Sequence, residues 1–202
     1  RAKCFQISGV EPIIIQNGID LDSIKKMNIQ HVKKNESNNR ILSLRGLTDL
    51  YRIDKIVQSR NYNLKNSGIN FIYPFYDDTY KSKIFFSEFD IDLGRVSRDN
   101  MYSLMKNSFL VVSIPSSDSS PRSVYEAIFC DSIVAISYHR YYDDLPKCMQ
   151  SRIIIVDMKN KDWLKIAYDK ALSIRKNKFV PSVKALDLFD QKRSFKKKLN
   201  IL

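Results

Sequence analysis

The sequence predicts an α/β protein with a Rossmann-like, doubly wound parallel sheet of about six strands. Short apolar runs rich in β-branched residues recur along the chain, as expected for strands that are buried on both faces of a parallel sheet. Segments with apolar residues at helical spacing alternate with these runs, which is typical of α/β folds. The 202 residues, 44% of them hydrophobic, suffice for one domain with a sizeable core.

The clearest succession of strand, loop, helix and strand covers residues 109–137. Its two apolar runs, residues 109–114 and 133–136, predict buried strands. Ser120 followed by Pro121 predicts that Ser120 caps the intervening helix and that Pro121 opens it. The polar loop before this helix follows the carboxyl end of a strand, where open α/β sheets bind their ligands.

The start of this helix predicts an anion site suited to phosphate, because free amides and the helix dipole meet there. Asp118 lies in the loop ahead of the helix, and Glu126 lies one to two turns into it. This order suits a nucleotide sugar, in which sugar hydroxyls, diphosphate and ribose hydroxyls follow one another. The spacing equally allows a surface pair between Arg122 and Glu126, with Asp118 as a plain turn residue.

Residues 117–127 resemble the donor-site segment of retaining, two-domain (GT-B type) glycosyltransferases of family four. That family shows an acidic residue, seven others and then Glu-Ala, which matches Asp118, Glu126 and Ala127. This chain has Asp where Glu is commoner, and it has Asp131 where the family usually has Gly. The resemblance implies that the chain is the second, donor-binding domain. It also implies that Asp118 contacts the hydroxyls of the donor sugar and that Glu126 holds the ribose.

The end of the first predicted strand carries a second part of the resemblance. Arg45 and Gly46 end that strand, and a helix is predicted over residues 50–59. In the family, an Arg at this strand end and a second basic residue nearby hold the donor diphosphate. Arg45 corresponds to the first and Arg52 to the second, with Lys55 as an alternative. Fixed cations there stabilise the charge that develops on the departing diphosphate. Taken alone, the residues also allow Arg45 to be a strand end and Arg52 to be solvated.

Backbone groups complete the donor site that the resemblance implies. Val96, in the loop after a predicted strand that ends at Gly94, is expected beside the nucleobase, with Arg95 and Arg98 as further candidates. The predicted donor-binding residues are Gly46, Val96, Ser119, Ser120, Pro121, Arg122, Ser123 and Val124.

The remaining elements continue the alternation of strands and helices. Ser97 and Asp162 are predicted to cap the helices that follow them. The last helix is basic and could be kinked or split. The predicted strands are residues 41–44, 69–75, 91–93 and 151–156, and the predicted helices lie within residues 77–88, 98–106, 162–176 and 181–199.

Three regions are expected along the chain. Residues 1–35 are interpreted as the segment between two domains, residues 36–180 as the nucleotide-sugar-binding domain, and residues 181–202 as a basic C-terminal helix. Residues 17–20, Asn-Gly-Ile-Asp, resemble the phrase with which the family passes into its second domain, although an ordinary Asn-Gly turn explains them as well. Because the chain begins with Arg1, it could be a fragment.

The formal net charge of +12 predicts acidic partners, such as nucleotide phosphates, an anionic membrane surface or nucleic acid. Part of this charge is explained by solubility alone. No nucleic-acid-binding motif is recognisable, so nucleic acid is not expected as a partner. The absence of a signal peptide and of a long apolar run predicts a cytoplasmic protein, with peripheral contact at the inner face of the membrane as a further expectation.

The cysteines and histidines give no pattern for a metal site. Cys4, Cys130 and Cys148 are odd in number, which favours free thiols in a reducing compartment. His31 and His139 are isolated and are expected to be structural or exposed. The resemblance likewise implies metal-independent chemistry without a cofactor.

These observations predict the donor-binding domain of a retaining hexosyltransferase. The whole enzyme would transfer a hexose or N-acetylhexosamine from a UDP- or GDP-linked sugar to a polysaccharide or a lipid-linked glycan. One alternative is a catalytically inert domain of the same fold that serves assembly or regulation, which Asp118 and Asp131 favour. A basic nucleic-acid-binding module is the other alternative, motivated by the charge.

Overall fold

The computed structural model describes residues 6–9, 18–29 and 40–199. Six short strands occupy the centre: β1 (Ile41–Ser43), β2 (Ile69–Ile72), β3 (Ile91–Gly94), β4 (Leu110–Ser113), β5 (Val134–Ser137) and β6 (Ile153–Val156). They form one sheet in the order β3-β2-β1-β4-β5-β6, and every neighbouring pair is parallel. The predicted doubly wound, Rossmann-like sheet of six strands is therefore confirmed.

Helices alternate with these strands on both faces of the sheet. They are α1 (Leu21–Ile29), α2 (Ile53–Asn63), α3 (Asp78–Lys81), α4 (Arg98–Asn107), α5 (Arg122–Phe129), α6 (Lys147–Gln150), α7 (Trp163–Ile174), α8 (Val183–Phe189) and α9 (Gln191–Leu199). Ser97 caps α4 as predicted, because its hydroxyl accepts a bond from the amide of Asn100. Asp162 precedes α7, but its side chain does not cap that helix. It accepts a bond from the side-chain amide of Asn63 instead.

Neighbouring residues of each central strand point into different cores, because side chains alternate across a sheet. In β1, Ile41 packs among residues of α2 and α7, whereas Leu42 packs among residues of α1, α4 and α5. Both side chains are fully buried. This burial on both faces explains why the strands are recognisable in the sequence as continuous apolar runs rather than as alternating ones.

The residue pair just before α1 is joined by backbone bonds to the junction between α8 and α9. The amide of Ile19 donates to the carbonyl of Phe189, and the amide of Gln191 donates to the carbonyl of Ile19. A Cβ on Gly18 would lie 2.2 Å from the Cα of Gln191, so this close approach requires glycine. The extended backbone of Asp190 separates α8 from α9, so the final helix is split. Asn17 of the matching phrase lies outside the described residues.

The turn after α5 explains why aspartate stands at a position where the resemblance leads one to expect glycine. Asp131 has a left-handed backbone with φ of 67°, and the amides of Asp131 and Ser132 donate to the carbonyls of Ile128 and Ala127. This is a Schellman ending, which favours glycine. Here the Asp131 carboxylate also accepts bonds from Arg152 and from the amide of Phe179. Its side chain thus has a structural function that glycine would lack.

Two of the three cysteines, Cys130 and Cys148, lie within the described residues. Cys130 is buried and Cys148 is partly exposed, and both are free thiols in the structure. Burial raises the pKa of the Cys130 thiol, which makes it unreactive. Cys4 and His31 lie outside the described residues. Of the helices described, none is long and apolar enough to cross a membrane.

Candidate functional site

The candidate site lies where the strand order reverses, at the carboxyl ends of β1 and β4. From β1 the chain builds outward through β2 to β3, and then it returns to β4 on the other side of β1. The connections after β1 and β4 therefore diverge and leave a crevice, which is where open α/β sheets bind ligands. Arg45 follows β1 and Asp118 follows β4, so two predicted residues lie on opposite sides of this crevice.

Arg45 joins the two sides of the crevice. Its Nη2 donates to Oδ2 of Asp118 at 2.6 Å, and its Nη1 donates to Oγ of Ser123 at 2.8 Å. The guanidinium also lies over the ring of Tyr51, 4.6 Å from the ring centroid. The Arg45 and Asp118 side chains are 13% and 12% exposed, so the pair is partly screened from water but remains accessible. The structure thus holds a cation in a fixed position at the switch point, which is the place where the strand order reverses.

A cavity of about 280 Å³ opens beside Arg45. Four of the predicted site residues line it together: Arg45, Gly46, Val96 and Ser123. Arg95, which was a further candidate, also lines it. A Cβ on Gly46 would lie 2.6 Å from the ring of Phe75, so glycine lets that ring close one wall of the cavity.

The start of α5 differs from the prediction. The helix begins at Arg122, and Pro121 occupies the capping position with a non-helical ψ of 89°. The carbonyl of Pro121 accepts bonds from the amides of Val124 and Tyr125. Ser120 is therefore not the cap, because Pro121 intervenes and proline has no side-chain acceptor. The amide of Ser120 donates instead to Oδ1 of Asp118 at 3.3 Å.

The amides that remain free at this helix start belong to Arg122 and Ser123, since no acceptor for them is found within the described residues. Such amides at the first turn of a helix are available to an anion. They adjoin the Oγ of Ser123 that Arg45 contacts. Val124 cannot contribute its amide, because Pro121 accepts it, and its side chain is buried in the core. Ser119 lies exposed in the loop.

Glu126 lies one helical turn beyond Ser123 and does not line the cavity. Only 4% of Glu126 is exposed, which is unusual for a glutamate. Its Oε1 accepts a bond from the Tyr102 hydroxyl at 3.2 Å and lies 3.4 Å from Nε of Arg122. Arg122 and Glu126 thus form the helix pair that was the alternative to a role in donor binding. The carboxylate of this pair is buried rather than on the surface. Burial raises the pKa of Glu126, and the nearby Arg122 opposes this shift.

Arg52 does not share the cavity with Arg45. Its backbone is left-handed, with φ of 52°, and it separates a single turn of 3₁₀ helix (Asp49–Tyr51) from α2. The predicted continuous helix over residues 50–59 is therefore wrong.

The guanidinium of Arg52 donates to the carbonyls of Ile114 and Pro115, and burial lowers the pKa of Arg52. Arg52 thus points toward the end of β4 and the loop after it. Lys55 also lies outside this cavity.

The aromatic wall of the cavity was not predicted. Tyr51, Tyr73 and Phe75 all line it, and the rings of Tyr51 and Phe75 are 6.0 Å apart. The sequence offered one signal, because Tyr51 immediately precedes a candidate arginine. Tyr73 and Phe75 fall at the end of a predicted strand, where an aromatic residue usually belongs to the core.

Solved structures of glycosyltransferases share this fold. HepE of Anabaena in complex with UDP and glucose matches with a TM-score of 0.67 and 13% identity, over 94% of this chain and 56% of that chain. A glycosyltransferase involved in avilamycin A biosynthesis, AviGT4, matches with a TM-score of 0.65 and 11% identity, over 95% of this chain and 57% of that chain.

Staphylococcus aureus TarM, solved as a mutant with fondaparinux, α-GlcNAc-glycerol and UDP, matches with a TM-score of 0.63 and 14% identity. That match covers 100% of this chain and 41% of the other. No protein-family model and no curated protein matches the sequence. The chain therefore has the Rossmann-like fold found in GT-B glycosyltransferases, and it spans about half the length of the structures it resembles.

Proposed function

We propose that this chain is the donor-binding half of a retaining, metal-independent GT-B hexosyltransferase of family four. The observation that carries the proposal is the fixed guanidinium of Arg45 at the switch point, next to the free amides of Arg122 and Ser123. Two amides and a cation around one crevice form a site for a diphosphate. The similar structures support this reading, because two of them were solved with UDP.

In the proposed complex, Arg45 and the two amides hold the diphosphate of a UDP- or GDP-linked sugar. The bond from the anomeric carbon to the diphosphate oxygen breaks, and a new bond to an acceptor oxygen forms on the same face of the sugar. Negative charge then grows on the departing diphosphate, and a cation that is already in position stabilises it without reorganisation. No residue of this chain is assigned as a general base.

The two carboxylates, Asp118 and Glu126, bind opposite ends of the donor. Asp118 accepts bonds from hydroxyls of the donor sugar, while its present contact keeps it next to Arg45. Glu126 holds the ribose through Oε2, since both of its contacts in the structure use Oε1. Tyr102 orients this carboxylate from α4. The nucleobase lies in the cavity beside the backbone of Val96, against the aromatic wall.

Arg52 is proposed as a positioning residue rather than as the second diphosphate ligand. It fixes the carbonyls of Ile114 and Pro115, which begin the loop that carries Asp118. The remaining predicted donor-site residues, Ser119, Ser120 and Pro121, shape that loop. Gly46 gives the donor room beside Phe75.

The other half of the enzyme is proposed to supply most of the acceptor site. In this view residues 1–35 lead into the donor domain, and residues 36–180 form most of it. Buried side chains of α1 and α8, such as Ile24 and Phe189, complete its core. Within the basic region of residues 181–202, α9 is the part that faces the partner domain. The acceptor is a polysaccharide or a lipid-linked glycan, and the reaction takes place in the cytoplasm. Exposed lysines would allow contact with an anionic membrane face.

The test is a thermal-shift panel of nucleoside diphosphates and nucleotide sugars without added metal. A nucleotide at a hundred times its dissociation constant should stabilise the chain by about 2.7 kcal/mol. Glu126→Ala should remove this stabilisation, whereas Asp169→Ala on the exposed face of α7 should leave it unchanged. No stabilisation by any nucleotide would contradict the proposal. Binding without turnover by the full-length protein would favour the inert domain.

A further inference from the structure

A second and larger cavity lies on the other side of the segment that carries Tyr51 and Arg52. Its volume is about 670 Å³, within the size range of ligand sites. Tyr51 lines the cavity described above, whereas Arg52 lines this one. The second cavity extends along α2 and faces the loop between β6 and α7. We call it the α2 groove.

The α2 groove is strongly basic. Four cations line it, Arg52, Lys55, Lys159 and Lys161, against the single carboxylate of Asp157. Lys159 and Lys161 are exposed, and neither pairs with a carboxylate in the part of the chain that the structure describes. Like charges gathered in one concave surface raise the local concentration of anions. The groove is therefore built to attract a ligand with more than one negative charge.

Aromatic side chains give the groove an apolar component. Trp163 borders the groove but is only 4% exposed, because it packs in the core. Tyr62 lies two to three turns along α2 from Arg52 and is 54% exposed, although it is a large aromatic residue. Aromatic faces bordered by polar groups suit ligands that have both an apolar face and hydroxyls, as sugar rings do.

We propose that the α2 groove binds an anionic glycan, namely a segment of the acceptor that carries phosphate or carboxylate groups. This inference rests on the proposed function, because the groove adjoins the donor cavity across the segment of Tyr51 and Arg52. Tyr62 lies ten residue steps from Arg52, which is about 15 Å along the helix and enough for a few sugar units. A single exposed aromatic residue in a short groove fits a glycan better than a nucleic acid strand, whose bases stack on successive aromatic residues.

The experiment compares two double variants of equal charge. Lys159→Gln/Lys161→Gln removes the unpaired cations of the α2 groove, and Lys170→Gln/Lys176→Gln removes two exposed lysines at the far end of α7. Binding is measured by titration calorimetry with a tetragalacturonate, a glycerol phosphate oligomer, the neutral maltotetraose and a single-stranded oligonucleotide. The two anionic glycans distinguish carboxylate from phosphate recognition.

The proposal predicts that at least one anionic glycan binds and that maltotetraose does not. Two exposed ionic contacts together account for about a tenfold change in affinity, so the groove variant should weaken the binding by about that factor. The control variant should change it less than twofold. Both variants should keep the stabilisation by UDP, which separates this test from that of the proposed function.

Three results would overturn the inference. One is the absence of binding by either anionic glycan, and another is an equal loss of affinity in both double variants. The third is tighter binding of the oligonucleotide than of both anionic glycans, which would assign the groove to nucleic acid. A chain that binds the anionic glycan in the groove but no nucleotide would refute the donor site and leave the groove as a glycan site.

Discussion

Two pairs of arginine and aspartate in this molecule have the same chemistry and different surroundings. Arg60 and Asp90 are both 0% exposed, and they are joined by two parallel bonds of 2.8 Å. Asp90 also accepts the amides of Ile69 and Ser87. Arg45 and Asp118 are 13% and 12% exposed and share a single bond of 2.6 Å beside an open cavity.

Only one of these two pairs is accessible to a ligand. Both oxygens of Asp90 are occupied within the protein, so the Arg60–Asp90 pair fastens β2 and the segment before β3 to α2. Arg45 faces a cavity and has a partner that a ligand can displace or bridge. A buried pair whose carboxylate is fully bonded serves the fold, whereas an accessible and partly satisfied pair is suited to an anionic ligand.

Breaking the buried Arg60–Asp90 pair should destabilise the chain more than any other single change described here. Asp90→Ala leaves the Arg60 guanidinium buried without its carboxylate, and we expect a loss of about 3–5 kcal/mol in the free energy of unfolding. Urea denaturation measures this loss. Affinity for a nucleoside diphosphate should be unchanged in the fraction that remains folded. A loss below about 1 kcal/mol would show that the buried pair is not structural in this sense.

Glu126 is buried like Asp90, but it is incompletely paired. Burial raises the pKa of Glu126, so the folded chain holds this proton more tightly than the unfolded chain does. Its stabilising contribution is therefore complete below the ordinary pKa of 4.5 and is lost as the pH rises through the raised pKa.

The side chain in the Glu126→Gln variant cannot ionise, so the variant should not lose this stability as the pH rises. The difference in unfolding free energy, wild type minus variant, should then fall as the pH rises above about 4.5. Denaturation curves of both proteins between pH 4 and pH 8 measure this difference. A constant or rising difference would contradict the assignment of Glu126 as a buried, incompletely paired carboxylate.

Asp131 tests a carboxylate that supports a strained turn. Asp131→Ala and Asp131→Gly both remove the bonds to Arg152 and to the amide of Phe179. They differ in how well they tolerate the left-handed backbone, so the glycine variant should be more stable than the alanine variant by about 1 kcal/mol. Equal melting temperatures would argue against the left-handed turn.

The smallest effect is expected at a pair that is fully on the surface. Lys165 and Asp169 lie four residues apart on α7 and are 40% and 51% exposed. Lys165→Ala should change the free energy of unfolding by no more than about 0.5 kcal/mol, and less in high salt. A larger change in thermal denaturation would mean that exposure is a poor guide to which of these pairs matters.

The fold was predictable because strands that are buried on both faces have a recognisable amino-acid sequence. Strands such as β4 appear as unbroken apolar runs, and the helices between them carry apolar residues at regular spacing. The order of Arg45, Asp118 and Glu126 along the chain was also recognisable. Parallel strands then bring Arg45 and Asp118 to the same edge of the sheet.

The details of the site depend on contacts between residues that are distant in sequence, and these were not predictable. Arg52 has a left-handed backbone that no local sequence pattern predicts, and its guanidinium contacts the carbonyls of Ile114 and Pro115. Pro121, which has no side-chain acceptor, occupies the capping position in place of Ser120. Tyr51 lines the candidate cavity because the fold brings its ring against the guanidinium of Arg45.

The contribution of Arg45 to diphosphate binding can be measured by calorimetric titration of UDP into the wild-type chain, Arg45→Met and the double variant Arg45→Met/Asp118→Asn. Losing a charge-assisted contact to the diphosphate costs about 1.5–3 kcal/mol, so both variants should bind UDP at least tenfold more weakly than the wild type. The double variant leaves no unpaired carboxylate and should unfold within about 1 kcal/mol of the wild type. Unchanged affinity in a folded Arg45→Met chain would contradict the central claim that Arg45 is the diphosphate cation.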